Sequence, residues 1–168
     1  MNNLCRQSRS SQLVCCVSAL SIVIQGCHWR DRDPGRELVN AAGISVQETA
    51  KVLHSGADVN KRSTRLFGWT PLISAIYHRK SDVVDLLLAS GADVNLGDSN
   101  GRTPLDWAIT MSGENTNLLR RLIQSGADPR LKSGMGTDAF RLAATSPNSE
   151  EIVAILEEFG RTNQNKLP

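Results

Sequence analysis

Apolar residues recur at helical spacing through most of this chain. Aligned on Gly56, Gly91, Gly126 and Gly160, the residues four positions earlier are Val52, Leu87, Leu122 and Leu156, and those seven positions earlier are Thr49, Val84, Leu119 and Val153. Spacings of three and four residues place side chains on one face of a helix. The pattern therefore predicts a helix with one buried face before each glycine.

These helices belong to a longer repeat. The string SGADVN at 55–60 returns at 90–95 and, shortened to SGADP, at 125–129, while GWTPL at 68–72 returns as GRTPL at 101–105 and weakly as GTDA at 136–139. A unit of this length cannot bury its apolar face alone, so neighbouring units are expected to stack. Two further aligned positions lie eight and three residues before the glycines. The first unit has Glu48 at one and the last unit has Glu157 at the other, and polar substitutions of this kind are expected in terminal units.

Threonine, serine, proline and glycine residues predict where the helices begin and end. Thr70 and Thr103 are expected N-caps of the first helix of their units, because each is followed by a proline suited to the first helical position. Ser81 and Ser149 are expected N-caps of second helices. The glycine at the end of each second helix is expected to adopt the left-handed conformation that closes it. Each unit is thus predicted to be a helix, a short turn, a second helix and an extended turn.

The motifs resemble the ankyrin repeat, whose signature combines a Gly-x-Thr-Pro-Leu opening with a Gly-Ala-Asp-Val-Asn close. The resemblance implies an all-α solenoid of about four helix-turn-helix units with β-turn fingers, at about 36–60, 61–95, 96–129 and 130–160. The first unit lacks the opening, and the last has Asp138 and Ala139 where Pro and Leu are usual. The histidine that commonly follows Pro-Leu is replaced by Ile73, Asp106 and Phe140.

The first 26 residues differ from the repeats. Residues 1–12 contain Arg6 and Arg9 but no acid, and residues 13–24 are a mostly apolar run. This order is typical of a secretory signal and is too short to span a bilayer as a helix. The alternative is an N-terminal helix of the globular domain, although the run lacks the polar face of a surface helix.

The end of this segment, Ile24-Gln25-Gly26-Cys27, resembles the lipobox of bacterial lipoproteins. The resemblance implies a signal peptide at 1–26, lipid on Cys27, a tether at 27–35 and, beyond the repeats, a polar tail at 161–168. His28 stands where an inner-membrane retention aspartate would lie, which favours the periplasmic side of the outer membrane. Gln25 is unusual for the motif, and a soluble secreted form or a retained anchor is the alternative.

Charge and reactive residues narrow the possible functions. The net charge of +2 equals the contribution of Arg6 and Arg9, so the remaining chain gives no support for nucleic-acid binding. No cysteine follows Cys27, which excludes a disulfide, a cysteine zinc site or a cysteine nucleophile from the repeats. The three histidines have no metal-ligand spacing. We expect no enzyme, no catalytic residue, no metal and no cofactor.

What remains is a binding surface. In ankyrin proteins the partner usually contacts the concave side, formed by the finger tips and by exposed positions of the first helix. The matching positions here are Phe67, Trp69, Tyr77, His78, Ser99, Asn100, Arg102, Thr110 and Met111. Aromatic residues and arginine dominate interface energies, so Phe67, Trp69 and Tyr77 are the expected hot spot. The alternative is that Trp69 only covers the neighbouring helices. Trp107 is expected to be buried against the next unit.

These features together predict an envelope-anchored lipoprotein that binds another protein as a monomer. One hypothesis is that it neutralises a periplasmic toxin or lipase, with one tight partner. The competing hypothesis is a scaffold or stress-protection partner of an envelope enzyme, with weaker contacts over several fingers. An enzymatic role is a distant third alternative.

Overall fold

The computed structural model describes residues 34–64, 67–112 and 116–164, which form four pairs of helices. The pairs are α1 (Pro34–Ile44) with α2 (Val46–His54), α3 (Pro71–Tyr77) with α4 (Ser81–Ala89), α5 (Pro104–Ser112) with α6 (Asn117–Gln124), and α7 (Ala139–Ala144) with α8 (Ser149–Gln164). These ranges contain no strand, so the predicted all-α repeat solenoid is confirmed. The predicted signal peptide, Cys27 and residues 165–168 lie outside the described residues.

The two predicted N-caps of first helices are confirmed. Thr70 Oγ1 accepts a hydrogen bond from the backbone N–H of Ile73 at 3.2 Å, and Thr103 Oγ1 accepts one from Asp106 at the same distance. Each threonine thereby satisfies one of the backbone donors that a helix leaves unpaired at its start. The prolines that follow begin α3 and α5.

The predicted N-caps Ser81 and Ser149 are wrong by one position, because each is the first residue of its helix. Before α4 the chain turns through Arg79 at a φ of 56°, and Lys80 occupies the cap position without a side-chain cap bond. At α8 the backbone N–H of Ile152 donates to the carbonyl of Asn148, which places the start one residue early. In both turns the backbone geometry, rather than the serine hydroxyl, determines the start.

The closing glycines follow the prediction in three of the four units. Gly56, Gly91 and Gly126 have φ angles of 86°, 86° and 93°. Gly160 does not close its helix, since α8 continues to Gln164. The three closing glycines are followed by the Ala-Asp pair of the extended turn, and Gly160 is followed by Arg161. The helices also begin before and end after the 36–160 range predicted for the repeats.

Stacking of the pairs creates one shared core. The first helices α1, α3, α5 and α7 pack in sequence, and α2 packs on α4 and α6 on α8. Buried apolar residues from Ala42 to Leu156 form a continuous cluster. Thr49, the polar member of its column, is fully buried and its hydroxyl donates to the carbonyl of Ser45 at 2.7 Å. Within the described ranges, no helix is both long and apolar enough to cross a membrane.

A candidate protein-binding face

The extended turns between helix pairs are fingers that bond to one another. The backbone N–H of Ser99 donates to the carbonyl of Phe67 at 2.9 Å, and that of Gly134 donates to Asn100 at 2.7 Å. Gly68 adopts a φ of 68°, and a Cβ there would overlap Ser99, so this close approach requires glycine. The fingers therefore present their tips in fixed register.

The regular spacing of the repeat also places one asparagine between consecutive turns. The side chain of Asn60 donates to the carbonyl of Gly91 at 3.3 Å and accepts from the N–H of Asp93 at 2.8 Å. Asn95 makes the same two contacts to the following turn, with Gly126 and Asp128. These bonds satisfy backbone groups of the turns and fix the spacing of the fingers.

Three aromatic rings from two repeats meet where the fingers join the first helices. The ring centroid of Trp69 lies 4.7 Å from that of Tyr77 and 5.2 Å from that of Trp107, and Tyr77 lies 5.9 Å from Trp107. These separations and the tilted or edge-on angles are those that aromatic pairs prefer. We call Trp69, Tyr77 and Trp107 the aromatic cluster.

Polar contacts hold the Trp107 ring from two sides. Its Nε1–H donates to Asp98 Oδ2 at 3.1 Å, while the guanidinium carbon of Arg102 lies 4.2 Å from the ring centroid. Arg102 also donates to Thr110 Oγ1 at 3.1 Å. The other carboxylate oxygen of Asp98 accepts the backbone N–H groups of Asn100 and Arg102. Asp98 is 3% exposed, so its carboxylate accepts hydrogen bonds inside the finger rather than facing solvent.

Exposure separates the aromatic residues of this region. Phe67 is 73% exposed and Tyr77 is 42% exposed, whereas Trp69 and Trp107 are half-buried. Phe67 has a φ of 50°, a conformation that costs a bulky residue about 1–2 kcal/mol. The fold therefore keeps a large apolar side chain in solvent at a strained backbone position. Such strain concentrates at functional sites.

The structure brings together some of the predicted contact residues and separates others. Trp69, Tyr77, Arg102 and Thr110 lie at the aromatic cluster, with the His78 ring edge-on to Tyr77 at 5.2 Å. Ser99 and Asn100 contribute backbone bonds at the finger tips, and the carbonyl of Met111 accepts from Arg79 at the far end of α5. We call the side formed by the finger tips and first helices the finger face.

Trp107 was expected to be buried against the next unit and was not among the predicted contact residues. It is instead half-buried, and its ring contacts Trp69 and Tyr77 of the preceding repeat. The available signal was its position one helical turn after Thr103, which places it beside the finger rather than deep in the helix pair. The indole Nε1 of Trp69 is buried and has no hydrogen-bond partner among the described residues.

A buried carboxylate lies beneath the finger face at Asp106, where the family commonly has histidine. Its Oδ2 accepts the backbone N–H of Thr103 at 2.9 Å, and its Oδ1 has no partner among the described residues. Burial raises the pKa of Asp106, an effect opposed by its hydrogen bonds with Thr103 and by the charge of Arg102 and reinforced by Asp138. The side chain is 1% exposed, so it caps α5 rather than contacting a partner.

Comparison with known proteins identifies the family. The family model for ankyrin repeats, three copies, matches residues 38–133, more than half of the chain. The chain belongs to the ankyrin-repeat family. Ankyrin repeats imply protein–protein interaction, so this part of the chain is an interaction module.

Several curated ankyrin proteins resemble the chain over a small part of their own length. The human mitochondrial disaggregase is 37% identical over 95 residues, which are 54% of this chain and 13% of that protein. An ankyrin repeat and KH domain-containing protein of Caenorhabditis elegans is 32% identical over a match that covers 93% of this chain and 6% of the length of that protein. A palmitoyltransferase of Saccharomyces cerevisiae is 41% identical over a match that covers 45% of this chain and 10% of the length of that protein.

The named relatives include enzymes, but the likeness to this chain spans at most about an eighth of each. The ankyrin repeat itself is typically a non-enzymatic interaction module. In residues 34–64, 67–112 and 116–164, no three His, Cys, Asp or Glu side chains are grouped so as to hold a metal ion.

Proposed function

We propose that the protein binds one partner protein through the finger face, with Phe67, Trp69 and Tyr77 at the centre of the contact. The carrying observation is that Phe67, two residues before Trp69, is 73% exposed and that Tyr77 of the aromatic cluster is 42% exposed. Large aromatic side chains bury much area at little cost in side-chain entropy. The two half-buried tryptophans supply a rigid base for such a contact, which suits a single tight partner.

We further propose that the protein is an envelope lipoprotein, held by lipid on Cys27 at the periplasmic side of the outer membrane. The support is the sequence of residues 1–27, with its basic start, its apolar run and its lipobox-like end. More than one acyl chain would make anchoring effectively permanent, since each buried methylene contributes about 0.8 kcal/mol. At that location a monomer with one tight partner would suit neutralisation of a periplasmic toxin or lipase.

The second candidate is a scaffold or stress-protection partner of an envelope enzyme. Its support is Met135, which is 79% exposed at the tip of the last finger, away from the aromatic cluster. Hydrogen bonds between the backbones of neighbouring fingers hold the tips in register. One long partner would therefore be able to contact all the tips at once. In that case the binding energy would be spread over several fingers rather than concentrated at Phe67 and Tyr77.

A pull-down with the purified protein captures the partner, and affinity measurements on that partner separate the two candidates. We expect Phe67→Ser and Tyr77→Ser each to weaken binding about tenfold or more, because both rings are exposed and central. Gln124→Ser is the control, since Gln124 is exposed on the second helix α6 and its change is expected to have no effect. Losses of similar size from Met135→Ser would favour the scaffold. Unchanged binding by both aromatic variants would sink the hot-spot proposal.

Cell fractionation and metabolic labelling with palmitate test the anchor. Wild type is expected in the membrane fraction and labelled, and Cys27→Ser is expected to lose both properties. Cys16→Ser is the matched control, because Cys16 lies in the same segment but outside the lipobox-like string. If Cys27→Ser still fractionates with membranes and takes up label, the lipoprotein proposal is wrong.

A further inference from the structure

Three arginines along the finger face are held by neutral groups. Arg62 Nε donates to the carbonyl of Gly97 at 2.9 Å, linking one finger to the next. Arg79 Nη2 donates to the carbonyl of Met111 at 2.9 Å, linking the end of α3 to the end of α5. Arg102 Nη2 donates to the Thr110 hydroxyl at 3.1 Å, and its guanidinium lies over the Trp107 ring. Each guanidinium is oriented without its charge being neutralised by the acceptor.

Two of the carboxylates in this region, Asp98 and Asp106, are buried, whereas the turn aspartates Asp58 and Asp93 are exposed. Asp98 accepts two backbone N–H groups and the Trp107 indole, and Asp106 caps α5, and both are almost fully buried. The turn aspartates Asp58 and Asp93 each accept the backbone N–H two residues later. Among the described residues, none of the three arginines forms an ion pair with a carboxylate within 4.0 Å.

Basic residues on the second helices form ion pairs with carboxylates. There Lys51 pairs with Glu48 at 2.7 Å, Arg121 with Asp85 at 2.7 Å and Arg120 with Glu158 at 3.5 Å. The second helices also carry acidic residues beyond these pairs, among them Asp82, Glu150 and Glu157. Arg62, Arg79 and Arg102 differ from these paired residues because the groups that they bond to are neutral, although the charge of Arg102 also acts on the buried Asp106.

We propose that the finger face recognises an acidic segment of its partner protein, with carboxylates on Arg62, Arg79 and Arg102 around an apolar side chain packed on Phe67 and Tyr77. This inference rests on the proposed partner binding and specifies its chemistry. A fixed guanidinium with N–H groups to spare binds a carboxylate in a defined, often bidentate geometry. Complementary charge gives such a contact specificity and a faster association rate.

The positions of two guanidinium groups specify the segment further. Arg102 Nη2 bonds to Thr110 and Arg79 Nη2 bonds to Met111, which are consecutive residues at the end of α5. The recognised segment is therefore expected to carry two acidic residues close together, next to an apolar residue. A nucleic acid is a poorer fit, because the net charge of +2 attracts a polyanion weakly.

Selection from a displayed library of random 12-residue peptides tests the inference before the partner is identified. Full-length protein is expected to select peptides enriched in closely spaced Asp or Glu. Replacing their acids by Asn or Gln is expected to weaken binding about tenfold, as is raising NaCl from about 50 to 500 mM. Selected peptides without acidic enrichment, or no selected peptide at all, would overturn the inference. So would equal binding of a 12-nucleotide single-stranded DNA.

Glutamine variants locate the contact on the protein. Arg62→Gln, Arg79→Gln and Arg102→Gln keep a donor for the neutral acceptors and are each expected to weaken acidic-peptide binding about fivefold. Arg120→Gln and Arg121→Gln on the second helices are the matched controls and are expected to change nothing. Equal affinity of all five variants would overturn the inference.

Affinity for the partner protein captured by pull-down, measured with the same variants, makes the two failures distinguishable. If Phe67→Ser weakens capture while the arginine variants and salt do not, the acidic-segment inference fails and partner binding by the finger face stands. If neither the aromatic nor the arginine variants weaken capture, the proposed function itself fails.

Discussion

The finger face and the second-helix side of this solenoid hold their charged residues by different means. On the second helices, three basic residues pair with carboxylates that are about half exposed, and such pairs contribute little to stability. On the finger face, arginines bond carbonyls, a hydroxyl and an indole ring that belong to the fingers and first helices. These three basic residues of the second helices are paired with carboxylates, whereas the three arginines of the finger face bond to neutral groups.

The same contrast holds for apolar residues. The second helices bury theirs against the shared core, as Val84, Leu87 and Leu122 show with no exposure. The finger face leaves Phe67 in solvent at a strained φ and stacks its other rings at the surface. One side of the repeat is therefore built for stability and the other carries features that stability alone does not explain.

The largest predicted effect concerns the core that both sides share. Ile76→Ala removes a fully buried side chain between α3 and its neighbours and is expected to cost about 2–5 kcal/mol in the free energy of unfolding. Ile44→Ala, at an exposed position, is expected to cost less than about 0.5 kcal/mol. Urea denaturation followed by circular dichroism measures both. A cost below about 1 kcal/mol for Ile76→Ala would mean that the two sides do not depend on one core.

Two tryptophan variants test whether the cluster is held by polar contacts. Trp107→Phe removes the donor to Asp98 and leaves a buried carboxylate oxygen unpaired, so we expect a loss of about 1–3 kcal/mol. Trp69→Phe removes an indole N–H that has no partner among the described residues, and its cost is expected to be clearly smaller. Denaturation of the two variants side by side gives the difference. Equal losses would assign the stability of the cluster to ring packing alone.

Asp106→Asn tests the buried carboxylate under the finger face. Because the folded-state pKa of Asp106 is raised, its ionised form opposes folding at neutral pH, and protonation as pH falls toward 3.8 relieves this. The asparagine retains an acceptor for the N–H of Thr103 without the charge. We expect the variant to be more stable than wild type at pH 7, with an advantage that shrinks as pH falls. An advantage independent of pH would contradict this assignment.

The smallest predicted effect compares one arginine from each side. Arg121→Gln breaks an exposed pair with Asp85 and is expected to change stability by no more than about 0.5 kcal/mol. Arg102→Gln loses its stacking on Trp107 and is expected to cost about 0.5–1 kcal/mol. Thermal unfolding at two salt concentrations checks both, since only the exposed pair should depend on salt. The reverse ranking would remove the distinction between the two sides.

Much of the fold was predictable from the sequence because its signals are local. The repeat period, the threonine caps and the left-handed glycines at Gly56, Gly91 and Gly126 each depend on a few adjacent residues. The predictions at Ser81 and Gly160 were wrong because the backbone next to each residue differs from the one that its residue type usually accompanies. At Ser81 the preceding turn through Arg79 begins the helix, and after Gly160 there is no Ala-Asp pair to begin an extended turn.

The candidate face was only partly predictable. The resemblance to ankyrin repeats indicated the fingers, and the short interval containing Phe67, Trp69 and Tyr77 indicated an aromatic surface. Nothing in the local sequence showed that Trp107 would meet rings from the preceding repeat, since that contact depends on how far one unit is displaced over the next. The neutral acceptors of Arg62 and Arg79 also belong to the next repeat and were not predictable.

The sequence by itself determined the repeat, the family and the residue types available for binding, because periodicity and cap chemistry are written within each unit. The tertiary structure decided which of those residues share a surface and which arginines bond to neutral groups. Stacking carried Trp107 to Trp69, turned Asp98 inward beneath it and left Arg102 above the ring. These placements result from packing between units, and no single unit contains them.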